Sequence, residues 1–256
     1  MTWQMRMIRK NKREKRERKK IMTTNNNDAT LTGILFILAA ITSMMALKLY
    51  DPILASGDYL ISGYENESRI ILGVLFELIL VACCIGTAII LFPWLKKEHE
   101  GLAMGYVSFR LLEAVIIIIG IFSILAMLSL SREYISSSGS DNGYYKTSAI
   151  ILKTIHSRSF MLGPNFMLGI NTLICSYLLY KSMLVPRFIS VMGLSGGVFI
   201  LYAALLELFG IILQLSAWGI TLAIPLFLYE MTLAFWLIFR GFNATAVKKT
   251  RIALQT

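Results

Sequence analysis

Charged residues are scarce in this sequence, and histidine and cysteine are scarcer still. Only 16% of the 256 residues are Asp, Glu, Lys or Arg, whereas a soluble domain contains about 25%. The chain has two histidines and three cysteines, without the C-x-x-C spacing of a zinc site or the pattern of a disulfide framework. These shortages argue against an ordinary soluble domain and a disulfide-stapled domain. We therefore expect no metal or other cofactor.

Apolar residues take the place of the missing charges. They make up 56% of the chain, and the mean hydropathy is +0.67. They are concentrated in runs of about 20 residues, the length of a helix that crosses a bilayer, without the alternation of barrel strands. The sequence therefore predicts an all-α polytopic membrane bundle over residues 31–241 with six transmembrane helices. We place the spans at about Leu31–Leu49, Ile70–Phe92, Leu102–Leu128, Phe160–Tyr180, Phe188–Leu208 and Trp218–Phe239.

The segments between the spans carry turn and loop signals. Pro93 is expected to end the second span. The short connection Gly210–Ala217 is still apolar, which leaves the boundary between the fifth and sixth spans open. Two longer loops, Tyr50–Arg69 and Ser131–Ser159, are expected on one side of the membrane. The second contains a flexible SSSGSDNG stretch, followed by Tyr145–Ile155 as a candidate interfacial helix.

Lysine and arginine are distributed unequally between the two sides of the predicted bundle. With the N-terminus inside, the inner segments hold roughly eighteen basic residues and the outer loops about five. Both termini are therefore predicted to be cytoplasmic. The basic segment 1–30 is expected to be a disordered tail on anionic lipid headgroups, with nucleic-acid binding the less favoured alternative, and residues 242–256 form a second short basic tail. Met1 and Met22 both fit as the start of translation.

Short motifs distributed along the whole membrane part carry a family resemblance. They are Tyr50-Asp51-Pro52-Ile53-Leu54, Phe76-Glu77-Leu78 to Leu91-Phe92-Pro93, Glu100-Gly101-Leu102-Ala103 through Tyr106 to Phe109-Arg110, Glu113, Leu184-Val185-Pro186-Arg187, and Trp236-Leu237-Ile238 to Gly241-Phe242. In this order they resemble the bacterial DUF4386 family of integral membrane proteins, over about Leu31–Phe242. The resemblance implies the same topology and a multi-pass location in the bacterial cytoplasmic (inner) membrane. The family has no known function, so the resemblance implies no activity, and the long basic tail departs from the family's usual short start.

Several polar residues fall inside the apolar runs, which makes them candidates for a functional site. An Arg or Glu in hydrocarbon costs roughly 2.5–3.5 kcal/mol on insertion scales, so such residues are usually paired or functional. Arg110 and Glu113 are three residues apart and share a helix face, and Glu230 in the last span is expected at a similar depth. Three further side chains are predicted to lie nearby, Glu77 at the periphery and two amides as hydrogen-bond donors. The candidate ligand or proton site thus consists of Arg110, Glu113, Glu230, Glu77, Asn165 and Asn171.

Two interpretations of this cluster are compatible with the sequence. In the first, the protein binds or translocates a small molecule, a lipid or a proton, because three deep carboxylates outnumber one deep Arg. In the second, the cluster only holds helices together, and the protein is a non-catalytic membrane accessory or interaction partner. Glu207, near the outer end of its span, is expected to snorkel into the interface.

An enzymatic function is disfavoured. Gly193–Gly197 matches the G-x-S-x-G pattern around Ser195, which also resembles the GxSG of rhomboid proteases. That chemistry requires a histidine base in another span, but His99 and His156 are predicted in an inner and an outer loop. Close helix packing at small residues explains the glycines better.

Overall fold

The computed structural model describes residues 27–137 and 142–243. Within these ranges all regular structure is helical, and six helices are long and apolar enough to cross a membrane. The predicted fold class, an all-α bundle of six membrane-spanning helices, is confirmed, while the side on which the termini lie stays a prediction. Most of the predicted tails 1–30 and 242–256 lies outside the described residues, although the first helix already includes Asn27–Thr30.

Nine helices and one π-helical segment follow one another along the described residues. They are α1 (Asn27–Leu49), α2 (Asp51–Leu54), α3 (Tyr59–Glu65), α4 (Glu67–Leu95), α5 (Glu100–Ser136), α6 (Asn142–Phe160), the π-helical segment Met161–Met167, α7 (Leu168–Ser182), α8 (Arg187–Leu208) and α9 (Ala217–Phe239).

Side-chain caps define where two of the spanning helices begin. His99 precedes α5, and its Nδ1 accepts a hydrogen bond from the Leu102 N–H at 3.1 Å. Ser216 precedes α9 and accepts from the Gly219 N–H at 3.3 Å. Each cap satisfies an N–H group that has no partner inside its helix. The cap before α9 also defines the start of the sixth span, which the apolar sequence of the preceding loop left open.

Two helices continue beyond the predicted span ends. α4 continues through Pro93 to Leu95, because only the final turn follows the proline, so the helix loses a single internal hydrogen bond. α5 extends beyond the predicted Leu128 to Ser136. Hydropathy marks the part of a helix that suits hydrocarbon and misses a polar extension into water.

The predicted outer loop Ser131–Ser159 is largely helical, which corrects the sequence interpretation. α6 covers the candidate interfacial helix Tyr145–Ile155, but it runs on through the π-helical segment into α7 instead of lying apart. The joined helix Gly143–Ser182 has 40 residues, about twice the number that a hydrocarbon core requires. His156, predicted in a loop, is buried in α6.

A small helical cap covers the end of the bundle at which α1 ends. It consists of α2, α3, the last two turns of α5 and α6, and its own apolar centre is formed by Leu60, Tyr145 and Ala149. Charged residues at its edge pair with one another. Arg132 bonds Glu67, and Arg69 Nη2 lies 3.8 Å from Asp51 Oδ2. The predicted loop Tyr50–Arg69 is thus mostly two short helices and the start of α4.

α5 is the central element, because it packs against α3, α4, α6, the π-helical segment and α7. α8 also packs closely against α9. At Gly196 a Cβ atom would lie 2.9 Å from the Leu226 Cα, so only glycine permits this approach. α4 and α7 place polar side chains against α5, and α8 holds α9 beside the bundle.

Candidate ligand site in the bundle

A buried ion pair on α5 forms the centre of the candidate site. Arg110 Nη1 lies 3.0 Å from Glu113 Oε2, and the two side chains are only 3% and 4% exposed. The spacing of three residues puts both on one helix face, as the sequence predicts. Each charge offsets much of the free-energy cost that the other would carry alone in an apolar surrounding.

Polar side chains from two neighbouring helices extend the pair into a network. Asn171 Nδ2 on α7 donates to Glu113 Oε2 at 2.6 Å, and Cys84 Sγ on α4 donates to Oε1 at 3.8 Å. Arg110 Nε donates to Thr87 Oγ1, also on α4, at 3.3 Å. The network therefore connects α4, α5 and α7 through hydrogen bonds that no single helix could make.

The ion pair is also enclosed by α1 and by the π-helical segment. The Arg110 guanidinium lies 5.7 Å from the centroid of the Phe36 ring on α1, within cation–π range. A Cβ atom at Gly163 would lie 3.4 Å from the Glu113 carbonyl oxygen, so the π-helical segment passes close beside α5. π-helical turns are frequent at functional sites, and this one contains Pro164.

A cavity of about 160 Å³ lies directly beside the ion pair. Among the described residues that line it, Arg110, Glu113 and Glu230 carry the charge, and Ser43 adds a hydroxyl. The remaining wall is apolar and comes from α1, α4, α7 and α9: Ala39, Ala40, Met44, Leu80, Leu168 and Phe227. A smaller pocket continues past Arg110 and Glu230 toward Tyr106 and Asn171.

Glu230 differs from Glu113 in having no hydrogen-bond or ion-pair partner among the described residues. Its carboxylate interacts electrostatically with Arg110 and Glu113, but it makes no hydrogen bond or ion pair with any residue that the structure describes. The side chain is half-buried on α9 and borders both pockets. The cavity thus contains one neutralised carboxylate and one without a cation.

The depth of the cavity follows from the helix ends. Trp94 near the end of α4 and Phe242 after α9 have ring centroids 5.1 Å apart, so these ends lie at the same end of the bundle. At 1.5 Å per residue, Arg110 is about 15 Å from the start of α5 and Glu230 about 14 Å from the end of α9. Half of a hydrocarbon core is also about 15 Å, which places the cavity near mid-membrane.

The cavity reaches the outer surface of the bundle between α1 and α9. Met44 on α1 is 55% exposed and Phe227 on α9 is 44% exposed, although both line the cavity. Around a bundle that spans a membrane, an exposed apolar side chain at this depth contacts lipid. The opening therefore faces the bilayer rather than water.

Glu77 lies apart from this group, at the boundary between the bundle and the cap. Its Oε2 accepts a hydrogen bond from the Tyr50 hydroxyl at 2.8 Å, and the His156 ring packs edge-on to Tyr50, with centroids 5.7 Å apart. Burial and the neighbouring Glu77 carboxylate raise the pKa of the Tyr50 phenol above its ordinary value, so Tyr50 remains a proton donor. The structure thus leaves Glu77 at the periphery, as predicted, but as part of a separate buried pair.

Asn165 lies outside the Arg110 network, in which the sequence analysis placed it. It bonds Glu207 Oε2 on α8 at 3.3 Å, whereas Asn171 is the amide that reaches the Arg110 network. The expectation that Glu207 snorkels to the interface is wrong, because the side chain is 7% exposed. Its partner is an amide in the π-helical segment, and sequence gives no direct sign of such a pairing.

Comparison with protein families decides the classification. The model of DUF4386, a domain of unknown function, matches residues 31–241. The chain belongs to the DUF4386 family. The match covers the membrane bundle from α1 to the end of α9, and it confirms the resemblance seen in the sequence motifs. Comparison with curated proteins found no match, and neither did comparison with solved structures.

Several residues of this DUF4386 site were missed by the sequence analysis. Thr87 and Cys84 hold the ion pair, Phe36 covers Arg110, and Tyr50 and His156 surround Glu77. Cys84 and Thr87 could have been recognised in the sequence by their spacing of three residues, which puts them on one face of the second span. The burial of His156 could have been inferred from the run of aliphatic residues just before this histidine, which favours a partly buried helix.

The serine motif plays no visible part in the DUF4386 site. Ser195 Oγ bonds the Met192 carbonyl within α8, and Gly193 lies against Ser176 and Tyr229. The glycines thus serve helix packing, as expected. Among the described residues, no group of three or more His, Cys, Asp or Glu is placed to hold a metal ion.

Proposed function

We propose that this membrane protein binds a small amphiphilic molecule or lipid in the mid-membrane cavity, and that the ligand enters from the bilayer between α1 and α9. The observation that supports this most is the combination of an unpaired carboxylate, Glu230, with an apolar opening at Met44 and Phe227. A purely structural network has no need for either feature.

The polar residues of the cavity take different roles in this proposal. Arg110 and Glu113 neutralise each other and are held by Asn171, Cys84 and Thr87, so they form a rigid wall. Rigid, supported polar groups are what a specific ligand site requires. Glu230 is the group that is free to bond an incoming polar atom, and the apolar wall accepts its hydrocarbon part.

A second candidate is a non-catalytic membrane accessory protein in which the cluster is structural. It is supported by the fact that Arg110 and Glu113 already satisfy each other and join three helices. Under this alternative, substitutions in the network lower stability and change nothing else.

We also propose how the chain is located and oriented in the membrane. We place the chain in the bacterial cytoplasmic membrane with both termini cytoplasmic, on the distribution of basic residues, and we expect the segment before Asn27 to contact anionic lipid headgroups.

The proposed function is tested by filling the cavity. The protein is purified gently as wild type, Ala40→Phe, Ile41→Phe and Arg110→Gln, and co-purifying molecules are identified by mass spectrometry. Ala40 lines the cavity, whereas its neighbour Ile41 is exposed on the outside of α1, which makes Ile41→Phe the matched control.

We expect a small molecule or lipid that is retained by wild type and Ile41→Phe and depleted in Ala40→Phe. The same molecules in the same amounts in all variants, or none in any, would contradict a ligand site. A protein that is lost from Arg110→Gln alone would favour the accessory role.

A further inference from the structure

We infer that the ligand's polar group is a protonated amine, which pairs with Glu230 inside the cavity. This inference rests on the proposed function and names the chemical class of its ligand. It follows from the charge balance, the hydrogen bonds already made and the shape of the cavity.

The charges of the described residues that line the cavity do not balance. The charged groups among the described lining residues are one guanidinium and two carboxylates. Arg110 and Glu113 form an ion pair at 3.0 Å and cancel. Glu230 is left without a cation of its own among the described residues, and an ionised carboxylate without a partner is strongly disfavoured in an apolar surrounding. A positively charged ligand would remove this penalty, whereas a negatively charged one would increase it.

An anionic ligand held by Arg110 is the alternative. The guanidinium is 3% exposed and is already engaged by Glu113, by Thr87 and by the ring of Phe36. An anion could take it only by displacing Glu113, which would leave that carboxylate buried and unpaired. Removal of one partner from a buried ion pair is strongly unfavourable. The geometry therefore favours a cation at Glu230 over an anion at Arg110.

The size of the cavity and its opening restrict the ligand further. An apolar cavity of about 150 Å³ holds a molecule the size of benzene, and this cavity has a volume of about 160 Å³. It can hold an ammonium group and the first carbons of a chain. The rest of the chain would leave between Met44 and Phe227, two exposed apolar residues, and lie among the lipid tails. The ligand class that fits is a single-chain amphiphilic amine.

Proton exchange accompanies this binding. Without a cation, Glu230 avoids the cost of an unpaired charge by carrying a proton. When an ammonium ion enters, the carboxylic acid gives up that proton to water and the ion pair remains, so one proton is released per amine bound. The titratable or charged groups around Glu230 on the neighbouring helices and on α9 itself are Arg110, Glu113, Tyr106, Cys84, Cys175 and Tyr229.

The inference is tested by calorimetric titration in lipid nanodiscs with three probes of equal chain length: octylamine, octanol and octanoate. Wild type, Glu230→Gln, Ala40→Phe and Glu207→Gln are compared, and empty nanodiscs correct for partition into lipid. Glu207 is buried but bonded to Asn165 outside the cavity, so Glu207→Gln is the matched carboxylate control. Titration in two buffers of different ionisation enthalpy counts the protons released.

We expect saturable octylamine binding to wild type and Glu207→Gln, with release of up to one proton, a number that should rise as the assay pH is lowered. In Glu230→Gln the affinity should fall by about 10–100-fold, as expected for loss of a hydrogen bond to a charged group, and the proton release should vanish. Octanol should bind weakly and equally to wild type and Glu230→Gln.

Two different failures can be told apart. Saturable octanoate binding that exceeds octylamine binding and is lost in Ala40→Phe would overturn the amine assignment while it supports the cavity as a ligand site. Octylamine binding that is equal in wild type and Glu230→Gln would also overturn the assignment. The absence of saturable binding by any probe, with Ala40→Phe identical to wild type, would overturn the proposed function itself.

Discussion

At the residue scale, Glu113, Glu77 and Glu230 differ in the partners of their carboxylates. Glu113 is bonded to a charged guanidinium and an amide, whereas Glu77 is bonded to a neutral phenol. Glu230 has neither kind of partner among the described residues. These three carboxylates thus represent three electrostatic situations in one bundle, and each responds differently to substitution.

The Arg110–Glu113 pair should be stabilising only as a pair. We expect Arg110→Gln to destabilise the protein by about 3–5 kcal/mol, because Glu113 is then buried without its cation. The double substitution Arg110→Gln with Glu113→Gln should recover part of this loss. Thermal unfolding in mild detergent measures both. Arg132→Gln, in the exposed pair with Glu67, is the control and should leave the melting temperature unchanged. A double variant that is less stable than Arg110→Gln would contradict the expectation.

The Tyr50–Glu77 hydrogen bond gives a second test at this scale. Tyr50→Phe should cost about 1–3 kcal/mol, since the buried carboxyl loses its donor. Combined with Glu77→Leu, the loss should be less than the sum of the two single losses, because neither polar group then remains without its partner. Tyr202→Phe, on an exposed ring, serves as the control. Additive losses in the double variant would show that the two side chains do not interact directly.

Some of these residue contacts could be predicted from the sequence and others could not. The Arg110–Glu113 pair follows from a spacing of three, and the depth of Glu230 follows from counting residues along α9. The pairs of Asn165 with Glu207 and of Tyr50 with Glu77 depend on how each helix is rotated about its axis. In helices that are apolar on all sides, no polar face indicates that rotation, so hydropathy alone cannot identify the partners.

At the element scale, close packing of α8 against α9 sets the position of the cavity wall. Leu226 lies against Gly196, and the next turn of α9 carries Glu230 toward α5. The π-helical segment positions α7 in a similar way, because it joins α6, a partly polar helix, to the spanning helix α7 without a loop. Sequence pattern predicted a loop at 131–159 because its polar residues resemble a linker, and it missed that α6 buries one side against α5.

Gly196→Ala tests the packing of α8 on α9. The added Cβ would lie 2.9 Å from the Leu226 Cα, and because backbone must move, we expect a destabilisation of about 1–3 kcal/mol. Gly105→Ala is the matched helical control, since its Cβ would meet only Ile174 Cδ1 at 3.7 Å. It should be neutral or stabilise by about 0.5–1 kcal/mol. Equal melting temperatures for the two variants would show that the helices are not in close contact at Gly196.

At the scale of the whole molecule, the number of spans and the family membership agree with the sequence pattern. Hydropathy is sufficient for this because each span must satisfy its backbone internally and fill the hydrocarbon thickness. Of the helical cap over one end, only the helix at Tyr145–Ile155 was predicted, since the other parts of the cap are short or polar. Orientation depends on basic residues, many of which lie outside the described ranges, and it stays a prediction.

The orientation can be tested by cysteine labelling of intact cells. The native Cys83, Cys84 and Cys175 are buried, so background labelling should be low. With cytoplasmic termini, an impermeant maleimide should label Asp58→Cys, in the turn before α3, from outside. It should label Glu98→Cys, between α4 and α5, only after the cells are permeabilised. The reverse pattern would place both termini outside.

The protonated, lipid-accessible state of Glu230 can be measured by its reaction with dicyclohexylcarbodiimide, an apolar reagent that modifies protonated carboxyl groups from within the membrane. Peptide mass spectrometry then locates the adduct. We expect it on Glu230, with little on Glu113 or Glu77, which are bonded to Arg110 and Tyr50, and we expect octylamine to protect Glu230 while octanol does not. An adduct mainly on Glu113 or Glu77, or labelling of Glu230 that octylamine leaves unchanged, would contradict the assignment of this cavity as an amine site open to the bilayer.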